Sequence, residues 1–331
     1  MRVIEMDESA LSALALECGF AKAALCHADA FTQEKDIVRS QAQLAERRQL
    51  KFEPLADLPW VKSLAVLLWA YRPAELPAAG SVFVDSYYFA SNAAYHAAKK
   101  LEDALTAAGH RVQSNVSYPA RKAALRAGLG VVGCSSMLIT PEYGSRVVII
   151  LMATDIELMS RKPEGSARIS QTCLACGRCI RACPGSALTE HGLTHPEKCL
   201  RNYMLEGTIV PEEIRSKMSR SLVGCDVCQR VCPMQLCNHE EKEEAEPASF
   251  LLDDFLTADP SAFSRAAARL AEQIGRNAAR PQRIRAQAAL LAGNSGNPAY
   301  LPVLKNWAES DFPAVREHAL WAIKRIEQEK K

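Results

Sequence analysis

The apolar residues in the first half of the chain occur in short uninterrupted runs and in segments of helical periodicity. Two apolar runs predict buried strands: SLAVLLWAY at 63–71 and RVVIILMATDIEL at 146–158. Two further segments predict helices: ESALSALALECGFA at 8–21 and AAYHAAKKLEDALTAAG, which should end at Gly109. Residues 1–165 are therefore expected to form an α/β domain.

The pattern changes twice in the second half. Residues 166–240 have little apolar periodicity, so we do not expect a packed core there without a cofactor, and NHEEKEEAEP at 238–247 is typical of a solvated linker. From residue 249 the chain is alanine-rich and predicts short helices broken by Pro, Gly and Asn–Ser. These are expected to stack as HEAT-type pairs, with an irregular helical bundle as the alternative. The fold class is α+β, with predicted domains at 1–165, 166–240 and 241–331.

Charge and apolar run length limit the partners. The 331 residues include 40 basic and 38 acidic side chains, so a nucleic-acid site has to be a local patch. One candidate patch lies between residues 261 and 290, with six arginines and the single acid Glu272. Such helices either contact phosphates or form a solvated face with internal ion pairs. The apolar runs are too short to span a bilayer, and MRVIEMDESA does not have the pattern of a secretory signal. We therefore expect a cytoplasmic protein without membrane contact.

Cysteines carry the strongest chemical signal. Eight of the 12 lie between Cys173 and Cys232, which indicates metal binding rather than disulfides in a reducing compartment. The run TCLACGRCIRACPGSAL has the C-x2-C-x2-C-x3-C-P spacing of bacterial ferredoxins, in which the fourth cysteine binds the other cluster. The alternative is structural zinc, which needs only paired CxxC units and gives the third cysteine no role.

A second run, GCDVCQRVCPMQ, supplies three more thiolates, and Cys199 between the runs completes two sets of four. The ferredoxin rule predicts one cluster on the first three cysteines plus the last, and a second cluster on the remaining four. The two predicted sets are Cys173, Cys176, Cys179 and Cys232, and then Cys183, Cys199, Cys225 and Cys228. Of the other cysteines, Cys18 and Cys26 are expected in the core, Cys237 is expected to be inert, and Cys134 lies in a glycine loop.

The order of motifs resembles the epoxyqueuosine reductase family. The resemblance rests on AGLGVVGCSSMLITPEYGS, the ferredoxin run, the lone cysteine, GCDVCQRVCP, and GRNAARPQRIRAQAALLAGNSG with REHALWAI. It implies a cobalamin-dependent reductase, related to reductive dehalogenases, with two 4Fe–4S clusters and HEAT-like helices that hold tRNA. The reaction implied is reduction of epoxyqueuosine to queuosine at the tRNA wobble position.

The same resemblance implies particular contacts. Leu138, Ile149, Arg48 and Ala90 are the expected cobalamin contacts. Arg276, Arg280 and Arg283 on the carboxy-terminal helices are the expected tRNA contacts, and an external low-potential donor supplies the electrons.

Three departures fall on the substrate side of the corrinoid. Where the family has its proton-donating aspartate, this chain has QSNVSYPARKAALRAGLG, without an acid. The family's Gly-Lys-Asn is replaced by Gly133-Cys134-Ser135, and its GxDYH motif is represented only by NAAYH. Tyr118 is the predicted replacement donor, since a phenol stays protonated at neutral pH, and the alternative is a loop residue that only packs. Cys134 is either a second donor or a small buried side chain.

Three functions therefore remain open at this point. The first is the queuosine reaction. The second is a divergent paralogue that reduces another small substrate or activates another corrinoid protein. The third is a non-enzymatic electron carrier.

Overall fold

The computed structural model describes residues 6–35, 50–73, 75, 76, 78, 80–159, 171–193, 195–218, 220–235 and 249–328. It is a mixed structure of helices and strands that divides into two compact units. Unit 1 comprises Met1–Tyr71, Ala93–Cys176 and Pro233–Glu240, and unit 2 comprises Arg72–Asn92, Gly177–Cys232 and Glu241–Lys331. The mixed fold is as expected, while the three domain boundaries stay a prediction.

The elements up to residue 159 follow the apolar pattern. In chain order they are α1 (Glu8–Glu17), β1 (Lys22–His27), α2 (Pro54–Asp57), β2 (Ser63–Ala70), β3 (Phe83–Val84), α3 (Ser86–Ala107), β4 (Val112–Ser114), α4 (Ala120–Arg126), β5 (Val131–Val132), β6 (Leu138–Ile139) and β7 (Val147–Thr154). Both predicted strands and both predicted helices are present. Helix α3 is followed by Gly109 at φ +95°, and the amide of His110 donates to the carbonyl of Leu105, as expected for a helix end.

Unit 1 is built on a four-stranded antiparallel sheet with the strand order β1-β2-β7-β4. The two most apolar strands, β2 and β7, are central and pair over their full length, with Leu68 opposite Ile149. This placement follows from their composition, because a central strand is covered on both faces. Strands β5 and β6 form a separate hairpin within the 128–140 loop.

The remaining elements are short in the cysteine-rich segment and longer in the carboxy-terminal segment. They are α5 (Gln171–Cys176), α6 (Arg178–Ala182), β8 (Leu188–Thr189), β9 (Gly192–Leu193), η1 (Pro196–Lys198), α7 (Leu200–Glu206), α8 (Glu212–Arg215), β10 (Ser221–Val223), α9 (Val227–Arg230), η2 (Pro233–Gln235), α10 (Leu252–Phe255), α11 (Pro260–Ile274), α12 (Pro281–Ser295), η3 (Pro298–Tyr300), α13 (Leu301–Trp307) and α14 (Pro313–Gln328).

The largest core of unit 2 lies among its carboxy-terminal helices. Helices α11 to α14 begin at or near the prolines that the sequence pattern uses as breaks, and their alanine and leucine faces pack together. The same core includes β3, which pairs in parallel with β10. Within the described residues, no helix has the length and apolar character needed to cross a membrane.

A second, smaller core corrects one expectation from the sequence. The cysteine-rich segment does contain a packed apolar cluster, formed by Leu200, Met204, Val210, Ile214 and Met218 with Leu290 of α12. The five segment residues are spread over short elements, and the sixth comes from a distant helix, so the local pattern did not indicate the cluster. The cluster gives α7 and α8 a packed base next to the cysteines.

Candidate functional site

Four of the predicted ligands lie in unit 2 on short elements that converge. Cys183 follows α6, Cys199 caps the start of α7, and Cys225 and Cys228 belong to the turn and helix after β10. The Cys199 position depends on α7, which the small apolar cluster holds. These are the four residues predicted for the second cluster.

Cys228 has the other thiols of its predicted ligand set among its charged neighbours. Its pKa is raised by burial first, and then by the neighbouring charges of Cys225, Cys199, Cys183 and Cys179. The first three of these neighbours are the other members of its predicted ligand set. Because burial and mutual repulsion both disfavour thiolates, such a group becomes stable when a cationic iron core binds it.

Backbone amides also meet these sulfurs. The amide of Ala187 donates to Cys183 Sγ at 3.3 Å, as expected for the loop after a ferredoxin-type run. Burial raises the pKa of Cys225 to about 12, against a hydrogen bond from the Val227 backbone that lowers it. The donors and the thiols therefore fit a cluster at this position. In the described part of the chain, no group of three or more His, Cys, Asp or Glu side chains is placed to bind a single metal ion. A cubane has a different requirement, because each of its four irons binds one thiolate.

The first ligand set is divided between the two units, so it stays a prediction. Cys173 and Cys176 lie on α5 in unit 1, and Cys179 and Cys232 belong to unit 2. Within unit 1, Cys173 Sγ approaches the glycine loop closely. A Cβ atom at Gly133 would lie 3.4 Å from that sulfur and 2.6 Å from the Ile139 side chain, so only glycine fits there without a shift.

Unit 1 also brings together three residues of the predicted substrate site. Tyr118 and Leu138 are members of one buried apolar cluster, and Ile149 packs against it. Tyr118 is 3% exposed, and its ring stacks on Phe31 with the two centroids 6.2 Å apart. The three residues therefore share one apolar environment, and their contact with a corrinoid stays a prediction.

The Tyr118 hydroxyl has an acidic neighbour that the sequence did not indicate. Burial first, and then the carboxylate of Asp57 at the end of α2, raise the pKa of the phenol. The hydroxyl makes no well-aligned hydrogen bond to any residue that the structure describes. Asp57 lies about sixty positions before Tyr118 in the chain, so no local motif links them.

The remaining residues singled out from the sequence differ in where they lie. Ala90 is buried and belongs to unit 2. Arg48 and Cys237 lie outside the described residues. Cys134 is 1% exposed, Cys26 is buried as expected, and Cys18 is only partly buried.

The arginines of the candidate patch fall into two groups. Arg265 and Arg269 face carboxylates, at 3.9 Å from Asp259 and 3.1 Å from Asp254, and Arg285 packs over the Phe263 ring at 4.2 Å. These three have internal roles.

The three predicted RNA contacts lie together around the loop between α11 and α12. Arg276 and Arg280 are exposed, and Arg283 is half-buried. Arg280 donates to the Asn277 side chain at 3.1 Å, and Arg283 donates to the Asn277 carbonyl at 2.9 Å. The guanidinium groups of Arg280 and Arg283 therefore both meet Asn277, and Arg276 precedes it in the segment that we call the 275–283 loop.

Sequence reasoning missed a charged group beside the second ligand set. Arg201, two residues after Cys199, stacks over the rings of Tyr87 and Tyr88, which lie on the first turn of α3. Asp85, the residue between β3 and α3, is 3% exposed. No spacing rule connects residues this far apart in the chain, so only the folded structure shows the arrangement.

Comparison with known proteins agrees with this geometry. Residues 172–235 match the family model described as a 4Fe-4S double cluster binding domain. The chain is 30% identical to the epoxyqueuosine reductase of Lactococcus garvieae (strain Lg2) over 62% of this chain and 57% of that protein. It is 31% identical to that of Bacillus subtilis (strain 168) over 62% of this chain and 53% of the relative. The chain thus matches little more than half the length of these curated relatives.

Similarity at the level of the fold extends further along the chain. A crystal structure of epoxyqueuosine reductase with a tRNA-Tyr epoxyqueuosine-modified stem loop superposes with a TM-score of 0.76 and 26% identity, covering 96% of this chain and 89% of that one. The resemblance indicated by the sequence motifs is therefore confirmed: by sequence and fold the chain is related to the epoxyqueuosine reductases, and it carries a 4Fe–4S double cluster domain.

Proposed function

We propose that the chain reduces epoxyqueuosine to queuosine at the tRNA wobble position, using two 4Fe–4S clusters and cobalamin. The carrying observation is the approach of Cys173 to Gly133, because it puts a predicted cluster ligand against the loop that the family resemblance assigns to the corrinoid. The relatives named above support the same reaction.

Cobalamin, when bound, supplies a low-potential cobalt centre that accepts electrons singly and delivers two to a substrate. The part of unit 1 around the 128–140 loop fits such a group. Gly128 has a positive φ and nothing within 4 Å on its open side, so a ligand can approach the backbone there. Leu138 and Ile149 extend from one buried cluster, which excludes water from this side. Arg48 and Ala90 remain further proposed contacts.

We assign the donor of the proton that the reaction needs to a residue of this chain. Tyr118 is the proposed donor, because a phenol is protonated throughout the neutral range and this one lies in the same buried cluster as Leu138. A buried hydroxyl without a well-aligned partner is also available to bond a substrate oxygen. The Asp57 carboxylate is exposed and lies next to the phenol, so it connects the buried hydroxyl to solvent.

The carboxy-terminal helices are the proposed tRNA platform, with a HEAT-like arrangement in a domain from 241 to 331. Arg276, Arg280 and Arg283 on the 275–283 loop are the proposed phosphate contacts, since arginine forks match phosphate oxygens. An external low-potential donor is the proposed electron source.

The decisive experiment is tRNA nucleoside analysis in a bacterial strain whose own epoxyqueuosine reductase gene is deleted and which expresses this chain. We expect queuosine to reappear and epoxyqueuosine to disappear. A double variant, Cys225→Ser with Cys228→Ser, is the matched control without the second cluster. Persistent epoxyqueuosine in cells whose purified protein contains both clusters would contradict the proposed substrate.

A second candidate function has one specific observation in its favour. Cys134 occupies the position of the family's lysine, and it is buried, so the substrate side of the loop differs chemically from that of the relatives. This favours a divergent reductase for another small substrate. Binding of cobalamin without turnover of epoxyqueuosine tRNA would support this candidate.

A further inference from the structure

Arg201 has an unusual position for a cation beside a cluster ligand. It lies on the first turn of α7, two residues after Cys199, and its side chain is only partly exposed. Its Cζ atom is 5.0 Å from the centroid of the Tyr87 ring and 5.7 Å from that of the Tyr88 ring. Two aromatic faces therefore hold one guanidinium in place, as cation–π contacts do.

Asp85 supplies a negative charge on the same side. Its carboxylate accepts a hydrogen bond from the Tyr87 amide at 3.0 Å, which fixes its direction. Gly224 packs closely against Asp85. A Cβ atom at Gly224 would lie 2.6 Å from Asp85 Cβ and 2.7 Å from the Tyr88 ring. Since Gly224 immediately precedes Cys225, this contact brings Asp85 next to a second cluster ligand.

The two charges act on different thiols of the second ligand set. Asp85 lies beside Cys225 through its close contact with Gly224, and Arg201 lies two residues after Cys199. An arginine guanidinium keeps its charge at any pH that a protein tolerates.

The other acid at this site already has a counter-charge. Asp226 is buried and pairs with Arg230 at 2.9 Å, and that arginine in turn lies over the Phe83 ring at 5.0 Å. Each buried acid next to Cys225 is thus accompanied by an arginine held on aromatic rings. The combination of a buried acid and an arginine held on aromatic rings therefore occurs twice at this site.

Reduction of a 4Fe–4S cluster adds one negative charge, so nearby fixed charges shift its potential, together with hydrogen bonds and exposure. A buried or half-buried charge is poorly screened by water and salt, so its effect on neighbouring groups is strong. We propose that Arg201 raises the reduction potential of the cluster bound by Cys183, Cys199, Cys225 and Cys228, and that Asp85 lowers it. The pair would set the potential at which this cluster accepts an electron. This inference rests on the cluster and does not depend on the substrate assigned above.

The test is an anaerobic redox titration of the full-length protein with both clusters, followed by electron paramagnetic resonance. It requires neither cobalamin nor tRNA, so its failure is distinct from failure of the proposed reaction. Arg201→Met keeps a long apolar stem over the tyrosines and removes the charge. At a fixed potential we expect the reduced-to-oxidised ratio of one cluster to fall about tenfold, equivalent to ~59 mV for one electron. Asp85→Asn should shift the same step in the opposite direction.

Matched variants separate charge from packing. Lys305→Met removes an exposed cation on α13 and should leave both steps unchanged. Arg201→Lys keeps the charge and should keep the parental potential. An unshifted step in Arg201→Met at full iron content would overturn the proposal. If Arg201→Met loses iron, the result for Arg201→Lys is decisive. Full iron content and the parental potential in Arg201→Lys would support the proposal. Loss of iron or a shifted reduction step in Arg201→Lys would overturn it.

Discussion

At the scale of single residues, Tyr118 combines burial with an acidic neighbour, and both raise its pKa. Tyr118→Phe preserves the ring that stacks on Phe31 and removes the proton. If the phenol is the general acid, we expect turnover of epoxyqueuosine tRNA to fall by about 10²–10⁴-fold with clusters and cobalamin still bound. Single-turnover kinetics under anaerobic conditions measures this.

Tyr300→Phe is the matched control, because it also removes a hydroxyl next to a carboxylate, that of Asp253 at 2.6 Å, on a helical segment of unit 2. It should leave turnover unchanged. Full activity in Tyr118→Phe would assign Tyr118 to packing alone and direct the search to Cys134 or Ser117.

His318 carries a second prediction at this scale. It is buried in α14, donates from Nδ1 to the Ala286 carbonyl at 3.0 Å and accepts at Nε2 from the Val210 amide at 2.9 Å. Burial, with a smaller effect of Arg215, lowers its pKa to about 4. An unfolded histidine titrates near 6.5, so the unfolded state binds more protons between these values and stability falls as pH drops through this window.

Between pH 7 and pH 5 this histidine should cost the folded state about 2 kcal/mol. Denaturant unfolding of the wild type and of His318→Gln at both pH values provides the measurement. The variant should be less stable at pH 7 but should lose less on acidification, and effects of pH on the clusters cancel in the comparison. Equal losses in the two proteins would show that His318 does not titrate in this window.

At the scale of elements, the 275–283 loop brings together three arginines. We expect the triple change of Arg276, Arg280 and Arg283 to glutamate to weaken tRNA binding and to flatten its salt dependence by up to about three units of slope, because each lost phosphate contact releases about one counterion fewer. Filter binding or fluorescence anisotropy at several salt concentrations measures both effects.

An equal change of net charge elsewhere provides the control. Arg265, Lys305 and Lys324 are exposed on α11, α13 and α14, and their triple change to glutamate should reduce affinity far less. Equal losses from the two triple variants would indicate a general charge effect and contradict a site on the loop.

The elements also show which parts of the structure a sequence can predict. Strands β2 and β7 and helices α11 to α14 follow from local periodicity and from Pro and Gly breaks, because those signals lie within the element itself. Asp57 beside Tyr118, and Asp85 with Tyr88 beside Gly224, could not be predicted, because each depends on contact between distant segments. The cysteine spacing predicted the 4Fe–4S double cluster domain that residues 172–235 match, because ferredoxin-type ligation is set by a short loop, while the assignment of single cysteines to each cluster stays a prediction.

At the scale of the whole molecule, we predict that the number of clusters depends on Cys199, the one cysteine between the two runs. Cys199→Ser removes the fourth thiolate of the second set, so we expect iron content and absorbance near ~400 nm to fall by roughly half. Iron analysis and absorption spectra of anaerobically purified protein are the measurements. Cys26→Ser, a buried thiol of unit 1, is the control and should keep the iron. An undiminished iron count in Cys199→Ser would place the fourth ligand elsewhere, with Cys237 the next candidate.

The pairing of β3 with β10 has a consequence for how the protein is made. Phe83 leaves the ribosome long before Ser221, so the parallel pair cannot form until most of the chain has been synthesised, and closing so long a loop is slow. Until then Asp85, Tyr87 and Tyr88 have no fixed place near the cysteines. Insertion of the second cluster is therefore a late event of biosynthesis, and a nascent chain that stalls before residue 221 would expose its first cysteine run to oxidation.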